Sequence, residues 1–378
     1  MRFDLSETQQ LLKTSARKFL QQECPMAEVR RIMETQTAYD ESMWRQMAGQ
    51  GWTGILFGEA YGGMGLGMVE TAVAMEEMGR ALLPGPYLST VLMAGVALDA
   101  AGSREQKKKY LGRICGGQAR AGVALQEDDA GWGLESVRLE AVRNGASVKL
   151  RGRKQFVMDA GVADFLVVVA RLDGDLALAV VEGDGLDVKA APGLDLTRRL
   201  YSVHFNDAAG ELLASGPAAE AALRRMLLLA TAGLTAEMLG GMQRVMDMTV
   251  EYAKTRKQFG KPVGQFQAVQ HKCADMLLMV ESTRSAAYYA AYALENGLDE
   301  AATAVSVAKS YASEAYREVG NHGIQIHGGM GFTWENDVHL YYRRAKATEL
   351  LFGDAAWHRE QIARRVIDQG EAGGSDIR

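Results

Sequence analysis

The sequence predicts an α+β protein in which a small antiparallel β domain separates two helical domains. Apolar residues recur at helical spacing in residues 1–118 and again in residues 216–369, whereas residues 119–215 alternate with period two. Strands that follow one another without intervening helices favour a small antiparallel sheet over a doubly wound nucleotide-binding fold. The glycine-rich tail, residues 370–378, is predicted to be disordered.

The first domain begins with an expected helix cap at Ser6, since Glu7 and Gln9 follow it. The helical pattern that continues from there is interrupted by a glycine-dense segment, Gly58–Gly67, which predicts a loop. The remainder of this domain is predicted to be α-helical.

The middle domain contains five predicted strands. They are separated by turn signals, of which Asn144-Gly145 and Asp173-Gly174 are the clearest. The strands are expected at Ala121–Leu125, Ser147–Leu150, Phe165–Ala170, Leu176–Val181 and Leu200–Phe205.

Long helices are predicted for the last domain. Pro217 suits the first turn of one helix and Pro262 the first turn of the next. A third helix is expected to begin at Asp299-Glu300 and to end at Gly320-Asn321. The apolar segment Met226–Ala236 is flanked by charged residues and predicts a buried helix.

Composition excludes several classes of protein. The 378 residues carry 42 basic and 47 acidic side chains, a net charge of −5, which argues against nucleic-acid binding. The three cysteines lack C-x-x-C spacing, and His322 and His327 lack the helical zinc spacing, so neither a disulfide framework nor a metal site is expected. Since no secretory or membrane-spanning pattern is present, we expect a cytoplasmic protein.

Two glycine-containing segments of the last domain carry the strongest functional signal. One runs from Arg256 to Gln267 and the other from Gln325 to Phe332. The first places a permanently charged guanidinium beside an aromatic ring, and the second lets backbone amides approach a ligand closely. Together they indicate a large, anionic and planar cofactor.

With these motifs in this order, the sequence resembles the acyl-CoA dehydrogenase family from the first helices to about Arg365. The segment Tyr61–Gly67 is similar to that family's N-terminal loop. The resemblance implies FAD as cofactor and α,β-dehydrogenation of an acyl-CoA, with electrons passing to an electron-transfer flavoprotein. It also implies a dimer or tetramer that holds FAD between subunits, and FAD contacts at Arg256, Phe259, Gln267, Gln325, Gly328 and Gly329. The alternative interpretation of the two segments is purely structural: the first is a helix-terminal arginine that packs over an aromatic ring, and the second is an ordinary glycine turn.

The middle domain departs from the family pattern. Gln126–Gly133 replaces a T-E-P-G-A-G-S-D type loop, and only the positions of Glu127, Ala130 and Gly131 agree. The tryptophan–isoleucine–threonine element near the flavin corresponds to Phe156-Val157-Met158. Phe156 and Met158 are therefore expected to contact FAD by stacking and backbone bonds, with less help from side chains.

The catalytic base is the most consequential departure. The family removes a weakly acidic α proton with a glutamate, whereas the two usual positions here are Phe352 and Ala230. Asp354 and Glu349 are the carboxylates near Phe352 in sequence. Asp354 is either a base on a shifted loop or the N-cap of the helix that follows it.

Three hypotheses follow from the missing base. The chain is the base-deficient subunit of a heteromeric dehydrogenase, a heterotetramer with a glutamate-bearing homologue; or it acts alone through Asp354; or it is a non-catalytic binding scaffold. Turnover by the lone chain distinguishes the second from the other two.

Overall fold

The computed structural model describes residues 5–128, 131–145 and 147–368, and within them it confirms the order of helices, sheet and helices. The chain packs into two units. The first unit comprises Met1–Met26, Met68–Leu83 and Thr231–Arg378, and the second comprises Ala27–Gly67 and Pro84–Ala230. The predicted boundaries after residues 118 and 215 stay predictions, and the predicted disordered tail lies outside the described residues.

The amino-terminal third is helical, as predicted. Ser6 caps the first helix in a capping box with Gln9, and the segment Gly58–Gly67 contains only a short 3₁₀ turn at Glu59–Tyr61. A π-helical segment, Leu88–Gly95, leads into the fifth helix. The helices are α1 (Glu7–Glu23), α2 (Met26–Met33), α3 (Glu41–Gly49), α4 (Met68–Arg80), α5 (Val96–Ala101) and α6 (Arg104–Cys115).

All five predicted strands are present, together with two that the sequence did not reveal. The strands are β1 (Ala121–Ala124), β2 (Glu140–Asn144), β3 (Ser147–Met158), β4 (Phe165–Leu172), β5 (Asp175–Glu182), β6 (Asp187–Ala191) and β7 (Leu200–Ser215). Strands β2 and β6 were missed because their side chains are mostly exposed and leave no apolar alternation.

The sheet is mixed rather than purely antiparallel. Its order is β1-β4-β2-β3-β7-β5, with β6 beside β7, and β4 runs parallel to both β1 and β2. The prediction of an antiparallel sheet fails for these two pairs because the chain makes the β2–β3 hairpin between β1 and β4, which leaves room for a crossover. The sheet core is built from residues that include Val148, Leu150, Val168, Ala179, Val203 and Phe205.

Long helices form most of the carboxyl-terminal part. They are α7 (Pro217–Thr255), α8 (Gln267–Glu295), α9 (Ala301–His327), α10 (Val338–Leu350) and α11 (Ala355–Ala363), and a short hairpin of β8 (Lys257–Gln258) and β9 (Lys261–Pro262) precedes α8. Pro217 begins α7, as predicted. The apolar segment Met226–Ala236 lies within this helix and is largely buried, also as predicted.

Two helix boundaries were predicted wrongly. Pro262 does not begin a helix: it ends the edge strand β9, with ψ of 139°, where its missing N–H costs no ladder bond. Helix α9 does not end at Gly320 but continues to His327. Its glycines serve packing, because a Cβ at Gly320 would lie 2.8 Å from the Tyr342 ring and one at Gly323 would lie 2.7 Å from Val245.

Helices α4 and α7 of the first unit cross at two glycines. A Cβ built on Gly79 would lie 1.9 Å from the carbonyl oxygen of Glu237, and one on Gly240 would lie 1.8 Å from that of Glu76. Since both neighbours are backbone atoms, the crossing has no space for any side chain at either position.

Among the described residues, Cys24, Cys115 and Cys273 are free, and no group of three metal-ligating side chains is found. No described helix combines the length and apolar character that a membrane span requires.

Candidate functional site

The hairpin β8–β9 presents a strained aromatic residue to solvent. Phe259 and Gly260 occupy its tip with φ of +53° and +79°, the backbone of a type I′ turn. A bulky residue rarely adopts positive φ. Phe259 is nevertheless 90% exposed, and its ring lies edge-on to that of Phe266, with 6.1 Å between ring centroids. An aromatic ring displayed in this way fits a group that lies outside this chain.

Arg256 lies at the base of the same hairpin. Its backbone N–H donates to Tyr252 O, and its carbonyl accepts from Val263 N–H, each at 2.8 Å, while its side chain is exposed. Gln267, the first residue of α8, is exposed on the far side of the hairpin. The backbone is thus held firmly, and the guanidinium remains accessible to an anion.

The turn after α9 forms an open backbone cradle. Gly328 has φ of +59° and ψ of −140°, a conformation that glycine adopts readily and other residues do not. A Cβ built on Gly328 or Gly329 would meet nothing within 4 Å, and Gln325 is exposed one turn earlier. Space beside exposed amides is what a diphosphate needs for close approach.

Tyr252 connects the two motifs. Its ring stacks on His327 with 4.3 Å between centroids, and its hydroxyl donates to His327 O at 3.3 Å. His327 Nδ1 donates to Gly323 O at 2.8 Å, and burial lowers the pKa of this imidazole, which keeps it neutral at pH 7. The structure therefore brings the end of α7, which leads into Arg256, to the glycine turn that ends α9.

In the second unit, Phe156 lies at a β-bulge. The register between β3 and β7 shifts between Lys154 and Val157, and Phe156 has φ of +54° and is 52% exposed. Met158 is buried and pairs with Leu200 in the sheet, so its side chain is not exposed to a ligand. Gln155 N–H donates to Gln126 O at 2.9 Å and ties the bulge to the loop that begins at Gln126.

That loop is held by a buried ion pair that the sequence reasoning did not identify. Lys154 is 0% exposed, and its Nζ donates to Glu127 Oε1 at 2.6 Å and to Leu125 O at 2.8 Å. Glu127 also accepts hydrogen bonds from the N–H groups of Arg138 and Leu139. Burial lowers the pKa of Lys154 to about 8, although Glu127 favours the charged form. Period two along β3 places Lys154 on the face of Val148 and Leu150, which was the available signal.

Phe352 and Ala230, the residues expected at the family's base positions, lie in a bend and within a helix. Phe352 and Gly353 form a left-handed bend with φ of +60° and +108°, and Ala230 is fully buried within α7. Asp354 Oδ1 accepts from Trp357 N–H at 2.8 Å, so the predicted N-cap is present. Glu349 is engaged as well: it accepts from Lys346 at 2.9 Å and pairs with Arg317.

Two buried nitrogen bases hold the backbone of this bend, and the sequence reasoning missed both. Lys309 Nζ donates to the carbonyl oxygens of Glu349 at 3.1 Å and Gly353 at 2.9 Å. His358 Nε2 donates to Phe352 O at 3.1 Å. Lys309 shares the buried face of α9 with Val305, Ala312 and Tyr316, at the helical spacing that could have revealed it.

Comparison with known proteins agrees with this architecture. The acyl-CoA dehydrogenase N-terminal domain model matches residues 6–118, and the C-terminal domain model matches residues 220–367. The acyl-CoA dehydrogenase IpdE2 of Mycolicibacterium smegmatis is 30% identical over 362 residues, which are 95% of this chain and 98% of that protein.

Solved structures are similar over nearly the whole chain. The ChsE4–ChsE5 complex from Mycobacterium tuberculosis matches with a TM-score of 0.88 and 28% identity, covering 97% of this chain and 99% of the matched one. PigA with FAD and proline matches with a TM-score of 0.90 and 26% identity, over 97% and 99% of the two chains.

Proposed function

The chain belongs to the acyl-CoA dehydrogenase family, and from this premise we propose that it is the base-deficient subunit of a heteromeric acyl-CoA dehydrogenase. The reaction is the α,β-dehydrogenation of an acyl-CoA thioester in the cytoplasm. A glutamate-bearing homologue supplies the base, and an electron-transfer flavoprotein accepts the electrons.

FAD is the cofactor of this family, and the residues of this chain fit it. The open cradle at Gly328 and Gly329 and the exposed Arg256 offer amides and a guanidinium to a diphosphate. The exposed Phe259 and Phe156 offer aromatic faces to planar rings. When bound, FAD supplies the ring system that accepts the hydride.

The observation that carries the proposal is that the two carboxylates near Phe352 in sequence, Glu349 and Asp354, already serve the fold. Phe352 occupies the expected base position, Asp354 caps α11, and Glu349 pairs with two cations. A general base must be free to accept the substrate proton at hydrogen-bond distance. Since Ala230 fills the alternative position, the chain has the architecture of a dehydrogenase without its base.

A heteromer explains why such a chain would keep its cofactor motifs. The similarity to a subunit of the ChsE4–ChsE5 complex, a pair of different proteins, supports this assembly. In the proposed assembly, Arg256, Phe259 and the glycine turn of this chain hold the FAD that serves the partner's carboxylate. The chain then contributes binding and positioning, and the partner contributes proton abstraction.

An anaerobic visible spectrum, recorded before and after addition of a panel of acyl-CoAs, tests this proposal. The flavin of the lone chain should stay oxidised, and the flavin of the chain co-purified with a glutamate-bearing homologue should bleach with at least one acyl-CoA. Bleaching by the lone chain that Asp354→Asn abolishes would establish Asp354 as the base. Lack of bleaching in the assembled complex across the panel would favour a non-catalytic scaffold.

The FAD assignment is tested by a charge reversal at Arg256. We expect Arg256→Glu to lose flavin on gel filtration, because the carboxylate repels the diphosphate at the same place. Lys254→Glu, two residues earlier and also exposed, is the matched control for a general charge effect. Full flavin content in Arg256→Glu would contradict the assignment.

A further inference from the structure

We propose that Lys309 and His358 are positioning residues that hold the backbone at residue 352 in the geometry of the base position, whichever side chain that residue carries. This inference rests on the proposed function in one respect, namely that the bend at Phe352 is the family's base position. The two side chains come from α9 and α11 and converge on the bend from outside it.

Lys309 contacts the bend on both of its sides. Its side chain is 0% exposed, and Nζ lies within hydrogen-bond distance of three oxygens: the carbonyls of Glu349 and Gly353, and Ser313 Oγ at 2.9 Å. An ammonium group donates to all three. A neutral amine donates to the two carbonyls and accepts from the Ser313 hydroxyl, so the clamp is retained in both charge states.

His358 holds the carbonyl that lies between those two contacts. Because Phe352 O accepts the hydrogen bond, the proton is on Nε2, and Nδ1 is buried without a partner among the residues that the structure describes. Burial and the neighbouring Lys309 lower the pKa of His358 to about 3, so its imidazole is neutral. Because this tautomer is fixed, His358 acts toward the bend only as a hydrogen-bond donor, through Nε2.

The backbone of the bend is strained, and the groups packed around it hold it in this conformation. Phe352 has φ of +60°, which is costly for a bulky residue and persists only where neighbouring groups impose it. Burying Lys309 and His358 is costly too. Since both donate to backbone carbonyls at the bend, and not to the side chain of residue 352, they hold the backbone of that residue whatever its side chain is.

Several charged groups surround Lys309. Burial lowers its pKa to about 7, while the carboxylates of Glu349 and Asp354 act in the opposite direction. Opening the bend would expose Lys309 to water, where it binds its proton more tightly. Opening therefore becomes harder as pH rises above about 7. The other groups of the cluster are His358 on α11, Arg365 beyond it, and Arg317 and Lys346, which pair with Glu349.

Hydrogen–deuterium exchange of residues 349–358 in the purified flavoprotein tests the clamp. We expect Lys309→Met to speed exchange of this segment at least about tenfold, because two carbonyls lose their buried donor. Lys309→Arg, which keeps the donors, should restore part of the protection. Lys346→Met is the matched control, because Lys346 pairs with the Glu349 side chain and not with the bend.

The pH dependence provides a readout that a merely structural lysine would not affect. After correction for intrinsic rates, wild-type exchange should slow by about tenfold for each pH unit above 7, and Lys309→Arg should show no such step. Exchange of Lys309→Met within twofold of wild type, or an unchanged step in Lys309→Arg, would overturn the clamp. If exchange behaves as expected while no acyl-CoA bleaches the assembled flavin, the proposed function fails and the clamp stands.

Discussion

The buried pair Lys154–Glu127 allows a stability prediction that reaches the cofactor loop. Lys154→Met leaves the Glu127 carboxylate without its partner at 2.6 Å and Leu125 O without its donor. Removing one partner of a buried ion pair costs about 3–5 kcal/mol. Glu127 keeps two amide donors and some solvent exposure, so we expect the lower end, about 3 kcal/mol.

The double variant Glu127→Gln/Lys154→Met separates charge from packing. It removes both charges and should cost only about 1 kcal/mol, mainly the lost bond to Leu125 O. The difference between the two variants, about 2 kcal/mol, is the cost of leaving the Glu127 charge unpaired. At about 2.1 cal/mol/K per residue, unfolding of the 378-residue chain has an entropy of about 0.8 kcal/mol/K, so the single variant should lower the melting temperature by about 4 °C and the double variant by about 1 °C.

Thermal unfolding at a fixed FAD concentration, with flavin content measured after gel filtration, is the assay. Lys154→Met should also retain less flavin, because the ion pair positions the loop that begins at Leu125. Arg153→Met is the matched control, since this exposed neighbour pairs with Asp128 at the surface and should matter by less than about 1 kcal/mol. A double variant that melts as low as Lys154→Met would refute the argument from the unpaired charge.

Three further predictions concern other parts of the chain. Gly240→Ala should prevent folding, since its Cβ would lie 1.8 Å from Glu76 O; Gly112→Ala, with nothing within 4 Å, should fold normally, as soluble yield and circular dichroism would show. Asp354→Ala should lower the free energy of unfolding by about 1 kcal/mol in denaturant titrations, whereas Asp354→Asn should retain the cap. The pKa of Lys154 is about 8 in the folded chain and 10.5 in the unfolded chain, so unfolding takes up a proton between about pH 8 and 10.5. The free energy of unfolding of the wild type should therefore rise with pH across this window, relative to that of Lys154→Met.

The fold was largely predictable because its signals are local and periodic. Helical spacing and strand alternation predicted the order of the elements, and Ser6 and Pro217 predicted two helix starts. The errors have physical reasons. Gly320 resembles a helix end in sequence but serves close packing, and Pro262 resembles a helix start but ends an edge strand.

The candidate site was predictable only where it depends on local motifs. Short sequence patterns located the segments around Phe259 and Gly328, although the hairpin at Phe259 was not predicted, and the cap at Asp354 follows from the helix after it. The supporting side chains were not identified, because Lys154 and Lys309 contact residues 27 and 40 or more positions away. A charged residue on an otherwise apolar face was the local sign of each.

In the proposed base-deficient subunit, two buried lysines hold the backbone near the cofactor loop and the proposed base position. Lys154 holds the loop at Leu125 and Glu127, and Lys309 holds the bend at residue 352. Neither contact involves the side chain at residue 352. The hydrogen bonds accepted by the backbone carbonyls of the bend offset its strain and burial. A backbone carbonyl is the same group in glutamate and in phenylalanine. On the proposal that residue 352 is the base position, exchange of glutamate for phenylalanine would remove the proton acceptor, while Lys309 and His358 would keep their contacts with the backbone carbonyls.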